Sequence, residues 1–166
     1  MSEKNTNKYA IVDLEATSAS SMASIIQVGI VIMQNGQVID EFASDVNPHQ
    51  KLDDHIIHLT GITDQQLAQA PDFSEIARTI FDLIEDCIFV AHNVKFDANL
   101  LAEALFMEGF ELRTPRIDTV ELAQVFYPTF EQYKLSHLSK VLNLDLAQAH
   151  TAIEDARATG QQIGRA

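Results

Sequence analysis

Apolar runs and one turn signal predict the first half of a β-sheet. Tyr9–Glu15 is apolar until its last residues, which is typical of a core strand with a charged end. Ile25–Met33 and Gln37–Val46 flank Asn35-Gly36, a dipeptide that strongly favours a tight hairpin turn. We therefore expect three strands that are antiparallel neighbours. The small, hydroxyl-rich residues from 16 to 24 are expected to form a loop at the charged end of the first strand.

Beyond the hairpin, helical and strand patterns alternate. The segment from Asn47 to Thr63 reads as a linker. The predicted elements after it are a short helix capped by Thr63, a helix from Asp72 to about Glu85, a strand at Ile88–Val90, a helix capped by Asn93 and closed by Gly109, a minimal strand at Arg116-Ile117, a helix capped by Asp118 and ended by Tyr127-Pro128, a short helix near Ser136–Leu142 and a last helix from Thr151. This order predicts an α/β fold, with a mixed sheet and helices on its faces.

Length and composition indicate one globular domain. The chain has 166 residues, of which 46% are hydrophobic, enough for a sizeable core. No apolar run approaches the roughly 20 residues needed to span a bilayer, and the first seven residues are polar. We therefore expect a cytoplasmic protein with no membrane association. The single cysteine, Cys87, excludes an internal disulfide and is expected to be a buried structural thiol.

The charge argues against a protein that grips nucleic acid through a broad basic surface. There are 24 Asp and Glu against 11 Lys and Arg, for a net charge of −13. The acidity could serve solubility alone. It is also compatible with a polyanionic substrate engaged locally, over a pocket whose charge a metal neutralises.

Asp13 and Glu15 are the first candidates for chemistry. Residues i and i+2 of a strand point to the same face about 7 Å apart, so these two carboxylates project together. They are costly to bury in part unless a cation lies between them, and oxygen ligands suit Mg²⁺ or Mn²⁺. Taken alone, however, such a pair is most often just the surface end of a strand.

His150 and Asp155 are the second pair of candidates. Five residues apart, they would diverge by about 140° on one helix. Thr151 and Glu154 form a capping box, so the helix is expected to leave His150 outside, on a loop. Asp155 would then be fixed in the first turn while His150 can move over whatever Asp155 binds.

Three motifs together resemble those of the DnaQ-like, DEDDh-type 3′→5′ exonucleases, in order and spacing. They are Asp13-x-Glu15, His92-Asn93-x-x-Phe96-Asp97 and His150-x-x-x-x-Asp155. Further similar segments are Ile25–Gly29, Leu59–Thr63, Ile117–Thr119 and Asp155–Thr159. Within the family, the chain looks most like the exonuclease domains attached to DinG-type helicases or to PolC-type polymerases. The resemblance implies an RNase H-like fold, a mixed five-stranded sheet flanked by α-helices.

The resemblance also implies residue roles. Four carboxylates would hold two Mg²⁺ or Mn²⁺ ions, and these are Asp13, Glu15, Asp97 and Asp155. His150 would be the general base, completing the catalytic set. The implied substrate-binding residues are Thr17 facing the 3′ end, Leu59 and Phe96 sandwiching the terminal base, and Thr60, His92 and Asn93 lining the pocket. Leu59 and Phe96 could equally be core residues, Asn93 could be a helix cap, and Asp118 reads as a cap rather than a ligand.

One departure from the family pattern follows Glu15. The family usually has Thr-Thr-Gly where this chain has Ala16-Thr17-Ser18. A serine would cost about 1–2 kcal/mol if the glycine position needs a positive φ.

We interpret residues 1–166 as a single exonuclease domain and expect it to be a fragment of a longer multidomain protein. The expected activity is metal-dependent hydrolysis at the 3′ end of single-stranded nucleic acid, with DNA preferred. The expected products are nucleoside 5′-monophosphates, and the expected process is DNA replication or repair. A helicase or polymerase module in cis or in trans is the expected partner. The alternative is a catalytically impaired, nuclease-like module that binds nucleic acid or acts as a scaffold.

Overall fold

The computed structural model describes residues 7–143 and 151–165, with side chains up to Gln162. The elements within these ranges are β1 (Lys8–Ala16), β2 (Ile25–Gln34), β3 (Gln37–Asp45), α1 (Asp54–Thr60), α2 (Asp64–Leu67), α3 (Phe73–Ile84), β4 (Ile88–Ala91), α4 (Val94–Met107), β5 (Arg116–Asp118), α5 (Thr119–Phe126), α6 (Leu135–Val141) and α7 (Ala152–Arg165).

The strands form one mixed sheet in the order β3-β2-β1-β4-β5. β2 is antiparallel to both β1 and β3, whereas β4 is parallel to β1 and β5 is parallel to β4. The β2–β3 turn has Asn35 at φ 53° and Gly36 at φ 75°, the left-handed values that such a turn requires. The predicted five-stranded mixed sheet and its antiparallel first three strands are confirmed.

The two faces of the sheet pack against different helices. On β1, Ala10, Val12 and Leu14 join the cluster formed with α3 and α4. Ile11 instead packs with Val31, Val90 and Ala156 of α7. Since side chains alternate along a strand, Asp13 and Glu15 continue the face that α7 covers.

Two local predictions are wrong. The expected linker contains helix α1, seven residues long, whose Ile56 and Ile57 pack on a cluster with Ile26 of β2. Such a short helix depends on packing that a local pattern does not reveal. Asn93 does not cap α4 with its side chain, because its backbone is left-handed, with φ 68°.

Asp118 takes over that capping role. Its carboxylate accepts the backbone N–H groups of Asn93 and Val94, at 3.1 and 3.2 Å, as well as that of Val120 in its own helix, at 2.9 Å. The prediction that Asp118 caps α5 is therefore confirmed, and the same carboxylate also holds the start of α4.

Other local predictions hold. The Thr63 hydroxyl accepts the Gln66 N–H at 3.2 Å, and the Asp72 N–H donates to Glu75 at 2.8 Å. The last helix begins at Ala152, directly after Thr151. Cys87 is buried, and burial raises the pKa of its thiol. Among the described residues, the helices are too short or too polar to cross a membrane.

Candidate metal centre and active site

Three carboxylates converge where β1 meets α7. Asp13 and Glu15 extend from β1, and Asp155 lies in the first turn of α7. Each of the three can offer one oxygen such that all three oxygens lie within 4.8 Å of one another. The paired projection of Asp13 and Glu15, and the placement of Asp155 in a first helical turn, are what the sequence patterns predict.

Asp97 approaches the same strand from α4. β1 pairs with β4 as far as Ile11, opposite Val90. Farther along β1, the N–H of Leu14 donates to Oδ1 of Asp97 at 3.0 Å. Asp97 is only 6% exposed, so this bond ties a buried carboxylate to the backbone between Asp13 and Glu15.

The electrostatics of the cluster are unfavourable without a cation. Burial, together with the charges of Asp155 and Asp97, raises the pKa of Glu15 to about 7. The pKa of Asp13 lies well above its usual range because of burial and the charges of Asp97, Asp155 and Glu15. Burial also raises the pKa of Asp97, and the bond from Leu14 opposes that shift.

The donor set therefore fits hard divalent cations. It consists of carboxylate oxygens alone, which Mg²⁺ and Mn²⁺ prefer over nitrogen or sulfur ligands. A cation among these groups would offset the burial of Asp13 and Glu15 and the repulsion from their acidic neighbours, which together hold their pKa values high.

The start of α7 is held close to the sheet. Gln27 of β2, which pairs with Glu15 of β1, accepts the Ala152 N–H through Oε1 at 2.9 Å. Gly29, opposite Asp13, permits the contact, since a Cβ there would lie 2.2 Å from the carbonyl carbon of Ala152. Arg157 fastens the next turn through ion pairs with Glu41 of β3 and Glu154.

A cleft of about 540 Å³ opens beside Glu15. It contains five of the six predicted substrate-binding residues, namely Thr17, Leu59, Thr60, Asn93 and Phe96. Leu59 is 45% exposed, and Phe96 is half-buried at the edge of the core. Both therefore reach the cleft rather than being fully enclosed.

Two hydroxyls of the cleft are engaged by the protein. Oγ1 of Thr17 accepts the Ser24 N–H at 3.0 Å, which closes the loop from 17 to 24. Oγ1 of Thr60 donates to Ile56 O at 2.8 Å and accepts the Ile62 N–H at 3.1 Å. These contacts fix the walls of the cleft.

His92 is not part of the wall of this cleft. Its Nε2 lies 2.7 Å from the carbonyl oxygen of Tyr133 and its Nδ1 2.9 Å from Oγ1 of Thr119. A carbonyl can only accept, so Nε2 donates to Tyr133, and the neutral ring accepts the Thr119 hydroxyl at Nδ1. Burial lowers the pKa of His92, which favours this neutral form.

His150 lies outside the described residues. Sequence reasoning also missed residues that the structure brings to the site. Gln27 holds the start of α7, and Asp53 and His55 line the cleft. For Gln27 a signal existed in the family-like segment Ile25–Gly29; for Asp53 and His55 there was none, because they lie in the segment read as a linker.

Comparison with known proteins defines the family. The family model RNase_T, described as exonuclease, matches residues 10–163. The chain belongs to this exonuclease family. The protein named 3′-5′ exonuclease DinG from Staphylococcus aureus (strain USA300) is 41% identical over 155 residues, which is 92% of this chain and 17% of that protein. The predicted resemblance to DEDDh-type 3′→5′ exonucleases is thus confirmed, and the chain spans less than a fifth of the length of the curated relatives it matches.

Solved structures of exonucleases share the fold. The nuclease domain of 3′hExo, a DEDDh family member bound to rAMP, has a TM-score of 0.82 at 19% identity, covering 99% of this chain and 93% of that one. Exonuclease X in complex with 5′ overhanging duplex DNA has a TM-score of 0.76 at 20% identity, covering 95% and 89%. The RNase H-like fold is confirmed by these likenesses.

Proposed function

We propose that this exonuclease domain removes nucleotides one at a time from the 3′ end of single-stranded nucleic acid, with DNA preferred, and releases nucleoside 5′-monophosphates. The observation that carries the proposal is the convergence of Asp13, Glu15 and Asp155, with oxygens within 4.8 Å of one another, beside a cleft of about 540 Å³. A 3′-terminal nucleotide in that cleft would have its phosphodiester next to the carboxylates.

In this proposal, Asp13, Glu15, Asp97 and Asp155 hold two Mg²⁺ or Mn²⁺ ions. Bound divalent ions supply Lewis-acid stabilisation of the negative charge that develops during phosphodiester hydrolysis. The protein fixes the positions of these ligands through the Leu14 bond to Asp97 and the Gln27 bond to α7.

The remaining roles belong to the cleft and to His150, which precedes α7 in the sequence. Leu59 and Phe96 present apolar surface to a terminal base, and the Thr17 loop faces the 3′ end. The imidazole of His150 accepts the proton of the attacking water, since an imidazole pKa near 6.5 suits a base at neutral pH.

The serine in the loop after Glu15 is compatible with activity. Residues with positive φ among the described non-glycine residues are Asn35, His49, Asn93 and Asn143, and Ser18 is not among them. The backbone cost considered for replacing the glycine therefore does not arise here.

The decisive experiment uses 5′-labelled single-stranded DNA and RNA of the same sequence, side by side, with Mn²⁺. We expect a ladder that shortens from the 3′ end, faster on DNA, with mononucleotide 5′-phosphates as products. An Asp13→Asn variant is the control for contaminating nuclease. Binding of the strand without any hydrolysis would instead support a binding or scaffolding module.

A partner module is a separate proposal. We propose that a helicase or polymerase module, in cis or in trans, delivers the single strand in replication or repair. One support is the similarity to DinG proteins that are far longer than this chain. The other is the net charge of −13, because an acidic protein has little non-specific affinity for nucleic acid.

A further inference from the structure

Four aromatic side chains form a cluster that extends from the end of α5 into α6. The rings of Tyr127 and Phe130 stack with centroids 5.0 Å apart and 7° between their planes. Phe130 also lies 6.4 Å from Tyr133 and 6.4 Å, edge to face, from His137. The Tyr133 hydroxyl donates to the Tyr127 carbonyl at 2.7 Å, so the segment is closed on itself. We call these four residues the aromatic platform.

The platform is not a part of the main core. The buried clusters of the described residues, and the side chains packed against them, include none of its four residues. All four are half-buried, and the neighbouring Val125 and Phe126 are 73% and 52% exposed. Core packing therefore does not account for this concentration of rings at the surface.

The platform is attached to the edge of the sheet that carries the site. His92 follows β4, the parallel neighbour of β1, and its Nε2 donates to the Tyr133 carbonyl at 2.7 Å. Val90 is opposite Ile11, and His92 and Asp13 each lie two residues farther along their chains. The platform is thus bonded to the residue that follows the strand next to β1.

The charge around the platform is unusual for this chain. The exposed Glu131 lies within the platform segment, but from Gln132 to Leu144 the sequence has no acidic residue and has Lys134, His137 and Lys140. Both lysines are exposed, and neither is in an ion pair with any described residue. In a protein of net charge −13, this places two lysines that pair with no described acid beside half-buried rings.

The rings and the two exposed lysines together match the chemistry of a single strand of nucleic acid. Bases stack on aromatic side chains whatever their identity, and lysines contact the phosphates. A protein partner would not need this combination of aromatic rings and exposed lysines.

We propose that the aromatic platform stacks bases of the single strand just upstream of the terminal nucleotide, while Lys134 and Lys140 contact its phosphates. This proposal rests on the proposed exonuclease function. In this proposal the nucleic-acid strand leaves the cleft, passes Asp13 of β1 and then crosses the hydrogen bond between His92 and Tyr133.

Tyrosine fluorescence tests the proposal directly. The chain has no tryptophan and three tyrosines, two of them in the platform. Ca²⁺ in place of Mn²⁺ prevents turnover. Under these conditions we expect dT10 to quench tyrosine emission over the same protein concentrations at which the anisotropy of dye-labelled dT10 rises. Tyr9→Phe should retain the quenching. Binding of dT10 without quenching would overturn the proposal.

Variants separate the platform from the cleft. Phe130→Leu should raise the Kd and the KM for dT10 about tenfold, the worth of one stacked base. Hydrolysis of the p-nitrophenyl ester of thymidine 5′-monophosphate, which has no upstream base, should be unchanged. Phe106→Leu, at an exposed phenylalanine of α4, is the matched control.

The lysines provide a second test that does not depend on the packing of Phe130. Lys134→Gln with Lys140→Gln should weaken dT10 binding and reduce its salt dependence, whereas Lys51→Gln should not. Equal kinetics of these variants and the wild type on dT10 would overturn the proposed role of the platform but not the proposed exonuclease function. Failure of the wild type to hydrolyse either substrate would instead reject the exonuclease function.

Discussion

The backbone N–H of Ala152, the first residue of α7, donates a 2.9 Å hydrogen bond to Oε1 of Gln27 in β2. Nε2 of Gln27 in turn donates to Oδ1 of Asp45 at 2.8 Å, and Gln66 donates to the other oxygen of Asp45 at 2.7 Å. A chain of side chains from α2 through β3 and β2 thus fixes where α7 begins. Since Asp155 lies in the first turn of α7, the same chain positions one of the carboxylates.

Removal of this contact should impair the site without unfolding the protein. We expect Gln27→Ala to lower Mn²⁺ affinity and kcat by about 10–100-fold, the usual effect of losing a group that orients a ligand. Calorimetric titration with Mn²⁺ and rates on labelled DNA measure the two effects. Gln124→Ala, at an exposed position of α5, is the control. Unchanged Mn²⁺ affinity in Gln27→Ala would mean that Arg157 and the packing of α7 suffice to position Asp155 without Gln27.

Gly29 should be intolerant of any side chain. A Cβ there would lie 2.2 Å from the Ala152 carbonyl carbon and 2.3 Å from the Ile153 nitrogen, both backbone atoms that cannot turn aside. We expect Gly29→Ala to displace α7 from β2, with a loss of about 3 kcal/mol or more in the free energy of unfolding and loss of Mn²⁺ binding.

Gly160→Ala is the matched control for that substitution. Its Cβ would meet the sulfur of Met33 at 3.0 Å, and a flexible methionine side chain can move. Alanine also favours the helix. Urea denaturation of both variants should therefore show a large loss for Gly29→Ala and little change for Gly160→Ala; similar losses would refute the backbone clash.

Local patterns predicted the elements best where the signal is itself local. The apolar run ending in Asp13 and Glu15, the Asn35-Gly36 turn and the Thr63 cap all depend on neighbouring residues, and the structure has them. Contacts between distant residues were beyond such reasoning. Asp97 and Leu14 are 83 residues apart, and Gln27 and Ala152 are 125 apart.

The errors have the same origin. Asn93 has the residue type of a helix cap, but the carboxylate of Asp118, 25 residues away, accepts the N–H groups at that helix start.

Membership of Asp97 in the candidate site came from the family resemblance, because nothing in its local pattern distinguishes it from a first-turn acid on any helix.

The stability of the metal-free protein should depend on pH in a defined direction. The pKa of Glu15 is raised from 4.5 to about 7 by burial and by its acidic neighbours. The folded state therefore binds this proton more tightly than the unfolded chain. The resulting stability is fully present below pH 4.5 and is lost as the pH rises through about 7.

We accordingly expect the Tm of the protein in EDTA to fall between about pH 4.5 and pH 7, with a smaller fall in Glu15→Gln. Glu85→Gln, at the exposed end of α3, should behave as the wild type. Mn²⁺ should raise the Tm more at the upper end of this range, because it binds the ionised carboxylates. A Tm that rises with pH in EDTA would contradict the electrostatic account of the cluster.

His150 and Asp155 should separate proton transfer from metal binding. If His150 is the general base, His150→Ala should lower the hydrolysis rate by about 10²–10⁴ and leave Mn²⁺ affinity unchanged. Asp155→Ala should lose both, because it removes an oxygen from the three that lie within 4.8 Å of one another. The wild type should lose activity at acidic pH, since a protonated imidazole cannot accept the proton of water, and this loss should be absent in His150→Ala. Near wild-type activity in His150→Ala, or a joint collapse of rate and Mn²⁺ affinity, would show that the base lies elsewhere.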